Sequence, residues 1–281
     1  MTKKRLFIQC NVFSTSPLKG NGLAVVNDAD DLSKEQMQAF AGWTNLAETA
    51  FIMKPKSPVA DYRVRIFTPN AELPFAGHPT LGSCSAWLHW KGKPKADKKV
   101  VQECEIGLID IHKLVSRKAF LAPPTKIIKM PKDQVRALCE NLSISEKKVI
   151  NAIILENGPT FHVLELTDAH SVLTLKAVKS DENFGFVGLL GKYLENSEAD
   201  YEVRMLDMTA NSNEDPITGS LNAALAKWLF SERRLWKNIV ISQGQNIGRE
   251  GRVYIDLLNY GTNKILVGGN TQIVIEGSVE L

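Results

Sequence analysis

The sequence predicts an α+β protein built as two β-rich half-barrels, each wrapped around one apolar helix. Three observations lead there. Short segments of period-two patterning recur between Gly, Pro and Asn turns along the chain. Two helix patterns are apolar over much of their circumference, and each is entered through a glycine and a polar residue: Gly77-His78-Pro79 and Gly219-Ser220. The order of elements in the first half is echoed in the second, with Arg65 thirteen residues before His78 and Arg204 sixteen before Ser220.

Taken in order, residues 6–12 alternate as a strand, Gly20-Asn21-Gly22 reads as a turn, and residues 23–26 resume as a second strand. Ser33-Lys34-Glu35-Gln36 fits a capping box for a short helix whose apolar face is Met37, Phe40 and Ala41, ending at Gly42. Residues 46–53 and 62–67 read as neighbouring strands. Pro79 has no N–H and a fixed φ, which suits the first position of a helix carrying Leu81, Cys84 and Leu88. Strands follow at 100–104, 108–112 and 118–121. Ala122-Pro123-Pro124-Thr125 then disfavours both helix and central strand, and marks a domain boundary. Asp133 is expected to cap the next helix, which carries Val135, Leu138, Cys139 and Leu142. Strands at 149–155 and 160–166 flank the turn Asn157-Gly158-Pro159. The helix after Gly219 sets Leu221, Ala224, Leu225, Trp228 and Leu229 on one face, and strands at 238–242, 252–257, 264–267 and 271–275 close the chain.

Composition narrows the function classes. The 281 residues are 44% hydrophobic, enough for buried cores, and 34 basic against 31 acidic residues give a net charge of +3. Such balance argues against nucleic acid as a partner, and the lysines between Lys91 and Lys99 read as a solvated turn. The apolar run at the start breaks at Gln9 and Asn11, too early for a signal peptide or membrane span, so the cytoplasm is the default compartment. Cysteines 10, 84, 104 and 139 show no C-x-x-C spacing, so neither disulfides nor a metal site are expected.

Four side chains could carry chemistry. Glu48 interrupts an apolar stretch, where burial would push its carboxyl upward toward general-base work; the alternative is a strand glutamate facing solvent. His78 could exchange protons with a substrate or merely cap its helix. Asp215 could be a turn former and Ser220 an ordinary N-cap. The N–H groups at Gly77 and Gly219 sit at helix entrances, which favour an anion.

Read together, Ala76-Gly77-His78-Pro79-Thr80, Asp215-Pro216-Ile217-Thr218-Gly219-Ser220 and Glu48-Thr49-Ala50-Phe51 resemble the phenazine-biosynthesis (PhzF-type) isomerase family, which has the diaminopimelate-epimerase fold. Asn11-Val12-Phe13, Gly20-Asn21, Ser242-Gln243-Gly244 and Gly268-Gly269 extend the resemblance over the whole chain. It implies two pseudo-symmetric domains, 1–121 with a returning strand at about 269–281, and 122–268, with the active site in the cleft between them. It also implies a cofactor-independent isomerase, homodimeric, that moves a proton between carbons of a small, amino-acid-like carboxylate. Glu48, His78 and Asp215 would be catalytic, and Gly77, Gly219 and Ser220 would hold the substrate carboxylate. Racemases of this fold use a cysteine at each helix entrance, where this chain has His78 and Ser220. Around the site Gly22 stands for the usual proline, and Leu221-Asn222 for the common Ala-His. A non-catalytic binding protein on the same scaffold is the other reading.

Overall fold

In a computed structural model, which describes residues 2–176, 180–209, 214–258 and 263–281, the chain divides into two compact units. One comprises Met1–Leu121 with Gly268–Leu281, the other Ala122–Val267.

The first unit opens with β1 (Lys4–Val12) and β2 (Asn21–Val26), antiparallel with Val12 opposite Asn21. Asn21 and Gly22 are thus strand residues rather than the turn their composition suggests; residues 13–20 make the connection. Ser33 caps α1 (Lys34–Thr44) through a complete capping box, and the helix runs past Gly42 to a left-handed Asn45. β3 (Glu48–Met53) lies parallel to β2 and antiparallel to β4 (Tyr62–Phe67). The two-residue β5 (Glu72–Leu73) turns back on β4 and delivers the chain to α2 (Gly77–His89), whose first ten residues are all buried. Pro79 is the third residue of α2, not the first. The place still suits it, because N–H groups of the first turn have no intrahelical acceptor. β6 (Lys99–Cys104), β7 (Gly107–Lys113) and β8 (Lys118–Leu121) form a meander, and β6 runs parallel to β4 with Tyr62 opposite Gln102.

The second unit begins with β9 (Lys126–Lys129), a strand the sequence pattern does not announce. α3 (Lys132–Asn141) starts from Pro131 rather than from an Asp133 cap; Asp133 sits in its first turn, where its charge favours the helix dipole. β10 (Val149–Glu156) and β11 (Thr160–Leu166) form a hairpin. A short α4 (Ala169–Leu173), β12 (Phe186–Lys192) and β13 (Tyr201–Asp207) follow. β14 (Glu214–Asp215) turns back on β13 and leads into α5 (Gly219–Ser231). β15 (Ile239–Gln243) runs parallel to β13, and β16 (Gly251–Leu257) pairs with β15. β17 (Ile265–Gly269) spans the unit boundary, and β18 (Thr271–Glu280) returns to pair with β1.

The two units repeat one plan. In each, a long strand (β4, β13) pairs antiparallel with a two-residue strand (β5, β14) and parallel with the strand after the helix (β6, β15). Each long strand carries an arginine gripping a glutamate of its short strand: Arg65 to Glu72 at 2.6 and 2.8 Å, Arg204 to Glu214 at 2.7 and 3.1 Å. The stretch from Glu72 to His78 therefore superposes in role on that from Glu214 to Ser220, glutamate to glutamate, Pro74 to Pro216 and Gly77 to Gly219. Both helices bury most of their surface, with Leu81 and Cys84 of α2, and Leu221, Ala224 and Leu225 of α5, fully enclosed. This is the pseudo-symmetric α+β architecture the patterning predicts.

Candidate active site

In the first unit the parallel pairing of β2 and β3 sets Leu23 opposite Glu48, so that Glu48 begins its strand two positions beyond the start of β2. The Glu72-to-Ala76 connection then brings the first two residues of α2, Gly77 and His78, against these strand ends. His78 is buried, 4% exposed, and the Glu48 side chain is 16% exposed. His78 Nε2 lies 3.0 Å from Glu48 Oε2, and the other ring nitrogen, Nδ1, lies 3.3 Å from Asn21 Nδ2. Glu48 thus faces His78 rather than bulk water. Neither of the nearby arginines is its counter-ion, since Arg65 is held by Glu72 and Arg63 reaches the Met53 sulfur. Ala76, the N-cap of α2, offers no side-chain oxygen, and Pro79 has no N–H. The entrance therefore has no side-chain cap, and the positive end of the helix dipole stands at Gly77 and His78.

In the second unit Thr218, not Ser220, is the N-cap of α5, and Gly219 and Ser220 are its first two residues. The Thr218 hydroxyl does not cap the helix. It donates instead to Asp215 Oδ2 at 2.5 Å, tying the carboxylate of β14 to the helix entrance. Gln243, buried on β15, holds this corner together: its Oε1 accepts from the Thr218 backbone N–H and from Asn222 Nδ2, and its Nε2 donates to Thr218 Oγ1 and the Asp215 carbonyl. Asn157 Nδ2 donates to the Ser220 carbonyl at 2.8 Å. The first unit has a simpler counterpart, in which Gln102 on β6 donates to Thr80 of α2 and accepts from Tyr62.

The structure thus joins Glu48 to His78 in one unit and gathers Asp215, Gly219 and Ser220 at one helix entrance in the other. Sequence reasoning missed Asn21, Thr218 and Gln243 as parts of these corners. Cysteine chemistry is not poised here: Cys84 lies two turns inside α2, and burial pushes its thiol up to about 12. Among the described residues no three His, Cys, Asp or Glu side chains gather as a metal-ligand set, and no helix is long and apolar enough to cross a membrane.

Comparison with known proteins adds to this geometry. A family model described as phenazine biosynthesis-like protein (PhzC-PhzF) matches residues 10–277. Antisense-enhancing sequence 1 of Schizosaccharomyces pombe is 33% identical over 292 residues, covering 96% of this chain and 97% of that protein. The trans-2,3-dihydro-3-hydroxyanthranilate isomerase of Pseudomonas aeruginosa is 31% identical over 291 residues, covering 98% and 99%. A Bacillus anthracis phenazine biosynthesis protein of the PhzF family has the same fold, with a TM-score of 0.82 at 20% identity and 99% of both chains covered.

Proposed function

The chain belongs to the phenazine biosynthesis-like protein family, whose relatives include named isomerases, and on that premise we propose that it shifts a proton between carbons of a small, amino-acid-like carboxylate. The observation that carries the reading is the Glu48 carboxylate, mostly shielded from water and 3.0 Å from His78 at the mouth of α2. In this reading Glu48 takes a proton from a carbon of the substrate, the double bond shifts, and the Glu48 carboxyl returns the proton to a second carbon, so that substrate and product differ only in where that hydrogen sits. The obstacle is the weak acidity of carbon. The N–H groups of Gly77 and His78 would hold the substrate carboxylate, and the dipole of α2 would favour the negative charge that develops. Asp215, with Gly219 and Ser220 at the second helix entrance, would supply further acid and anion-binding groups. The reading calls for no cofactor, and a homodimer is the assembly we propose from the family resemblance.

The test is deuterium incorporation. The protein is incubated in heavy water with trans-2,3-dihydro-3-hydroxyanthranilate, the substrate named for the Pseudomonas aeruginosa relative, and with a panel of small amino-acid-like carboxylates. Label should enter carbon positions of one of them, and Glu48→Gln should slow its entry on the order of 10²–10⁴-fold. Label entering undiminished in Glu48→Gln would refute the base assignment. Binding without label in any compound would favour a non-catalytic binding protein.

A further inference from the structure

We propose that Gln243 is a positioning residue for Asp215: acting through the Thr218 hydroxyl, it holds the Asp215 carboxylate ionised and oriented beside the entrance of α5. The proposal rests on the reading that Asp215 and this entrance serve the substrate, and deepens it by giving Asp215 a starting state. Asp215 begins as a proton acceptor and can return a proton only after it has taken one up.

The direction of the bonds in this corner follows from backbone groups that have no choice. The Thr218 N–H can only donate, and it donates to Gln243 Oε1 at 3.1 Å. The Asp215 carbonyl can only accept, and it accepts from Gln243 Nε2 at 3.2 Å. The amide is thereby fixed, since turning it over would set N–H against N–H and oxygen against oxygen. Its second Nε2 proton goes to Thr218 Oγ1 at 3.0 Å, and the hydroxyl donates its own proton to Asp215 Oδ2. The 2.5 Å separation there is that of a hydroxyl bonded to a charged carboxylate, and such a bond favours the ionised form. Asn222 braces the arrangement from α5, donating to Gln243 Oε1 at 2.8 Å and to the Thr218 carbonyl at 2.9 Å. Gln243 and Asn222 are 0% exposed and Thr218 is 8% exposed, so water hardly competes for these bonds.

The fold does not require this chain of bonds. On the repeat that sets Pro74 against Pro216 and Gly77 against Gly219, Asp215 falls on Leu73 and Thr218 on Ala76, and α2 is entered without either polar group. Thr218 also forgoes the ordinary work of an N-cap, because its hydroxyl makes no bond to the first turn of α5. A side chain that could stabilise its own helix is turned instead on the carboxylate.

The first measurement needs no substrate. The full chain, carrying ¹³C in its aspartate carboxyls, is titrated by NMR, with the Asp215 signal identified by its loss in Asp215→Asn. Thr218→Val, which keeps the shape and removes the hydroxyl, should move the Asp215 titration upward by about one pH unit. Gln243→Met should move it the same way by less, and Thr218→Ser, which keeps the hydroxyl, should leave it at the parent's value. An Asp215 titration unmoved in Thr218→Val would overturn the proposal. In the parent the Thr218 hydroxyl proton should be protected from exchange with water, and a rapidly exchanging one would overturn it even if the variants do not fold. With trans-2,3-dihydro-3-hydroxyanthranilate as the probe in heavy water, Thr218→Val should slow label entry on the order of 10²-fold, through kcat with KM little changed. Undiminished entry would mean that the oriented carboxylate has no part in the reaction, and would also overturn the proposal. A parent that labels no compound at all would refute the isomerase reading and leave the titration to decide this one, so the two failures are told apart.

Discussion

Arg65 with Glu72 and Arg204 with Glu214 occupy matching places but differ in burial. The side chains of the first pair are 26% and 15% exposed, those of the second 7% and 6%, and Arg204 also donates to the carbonyls of Val172 and Leu175. Removing the carboxylate charge should therefore cost about 1–3 kcal/mol in Glu72→Gln, where water reaches the arginine. It should cost about 3–5 kcal/mol in Glu214→Gln, where a guanidinium is left uncompensated in the interior. Denaturant melts of the two variants check the order, and equal losses would contradict it. The first pair also sets a pH dependence. The Arg65 hydrogen bonds hold the Glu72 carboxyl below its ordinary value of 4.5, so its stabilisation is complete above that value in both states of the chain and is lost as pH falls through the folded-state value. Parent and Glu72→Gln should thus differ in melting temperature at neutral pH and converge in acid.

At the scale of elements, the β1–β2 hairpin aims Asn21, and its closeness depends on Gly20. A Cβ on Gly20 would overlap the backbone carbonyl of Val12, an atom held in the sheet and unable to move aside. Gly20→Ala should cost about 1–3 kcal/mol even though alanine restricts the unfolded chain more than glycine does. A neutral or stabilising effect in thermal melts would show that the hairpin has slack. The helices teach a complementary lesson. α1 is legible because a capping box is a local exchange of hydrogen bonds, and Ser33 and Gln36 make it as their spacing predicts. The caps of α3 and α5 are misread because Asp133 and Ser220 are good capping residues by type, yet each stands inside the first turn. The connection before each helix decides its start, and that connection is fixed by sheet pairing.

For the molecule as a whole, the cysteines report on folding rather than chemistry. All four are buried, and burial pushes the thiols of Cys10 and Cys84 up to about 12. The native protein should react with a neutral thiol reagent far more slowly than the unfolded chain, and should expose all four groups on denaturation. A thiol that reacts in the native state at the unfolded rate would revive a cysteine-based mechanism. Cys84→Ala should keep deuterium exchange intact if Glu48 is the base.

The sequence by itself determined what depends on near neighbours: strand and helix periodicity, the capping box, the apolar faces of α2 and α5, and the repeated approach of a glycine and a polar residue to each helix. It also carried the motifs by which the family is recognised. Only the tertiary structure decided which groups meet. Glu48 and His78 are thirty residues apart, and neither periodicity nor spacing says that a strand end and a helix mouth will bring their side chains within 3.0 Å. Gln243 looks like any polar residue closing a strand until β15 pairs parallel to β13 and carries it to Thr218 and Asp215. Local pattern fixes which face of an element is apolar. The polar contacts of a site depend on strand register and helix placement, which are settled by burying all those faces together.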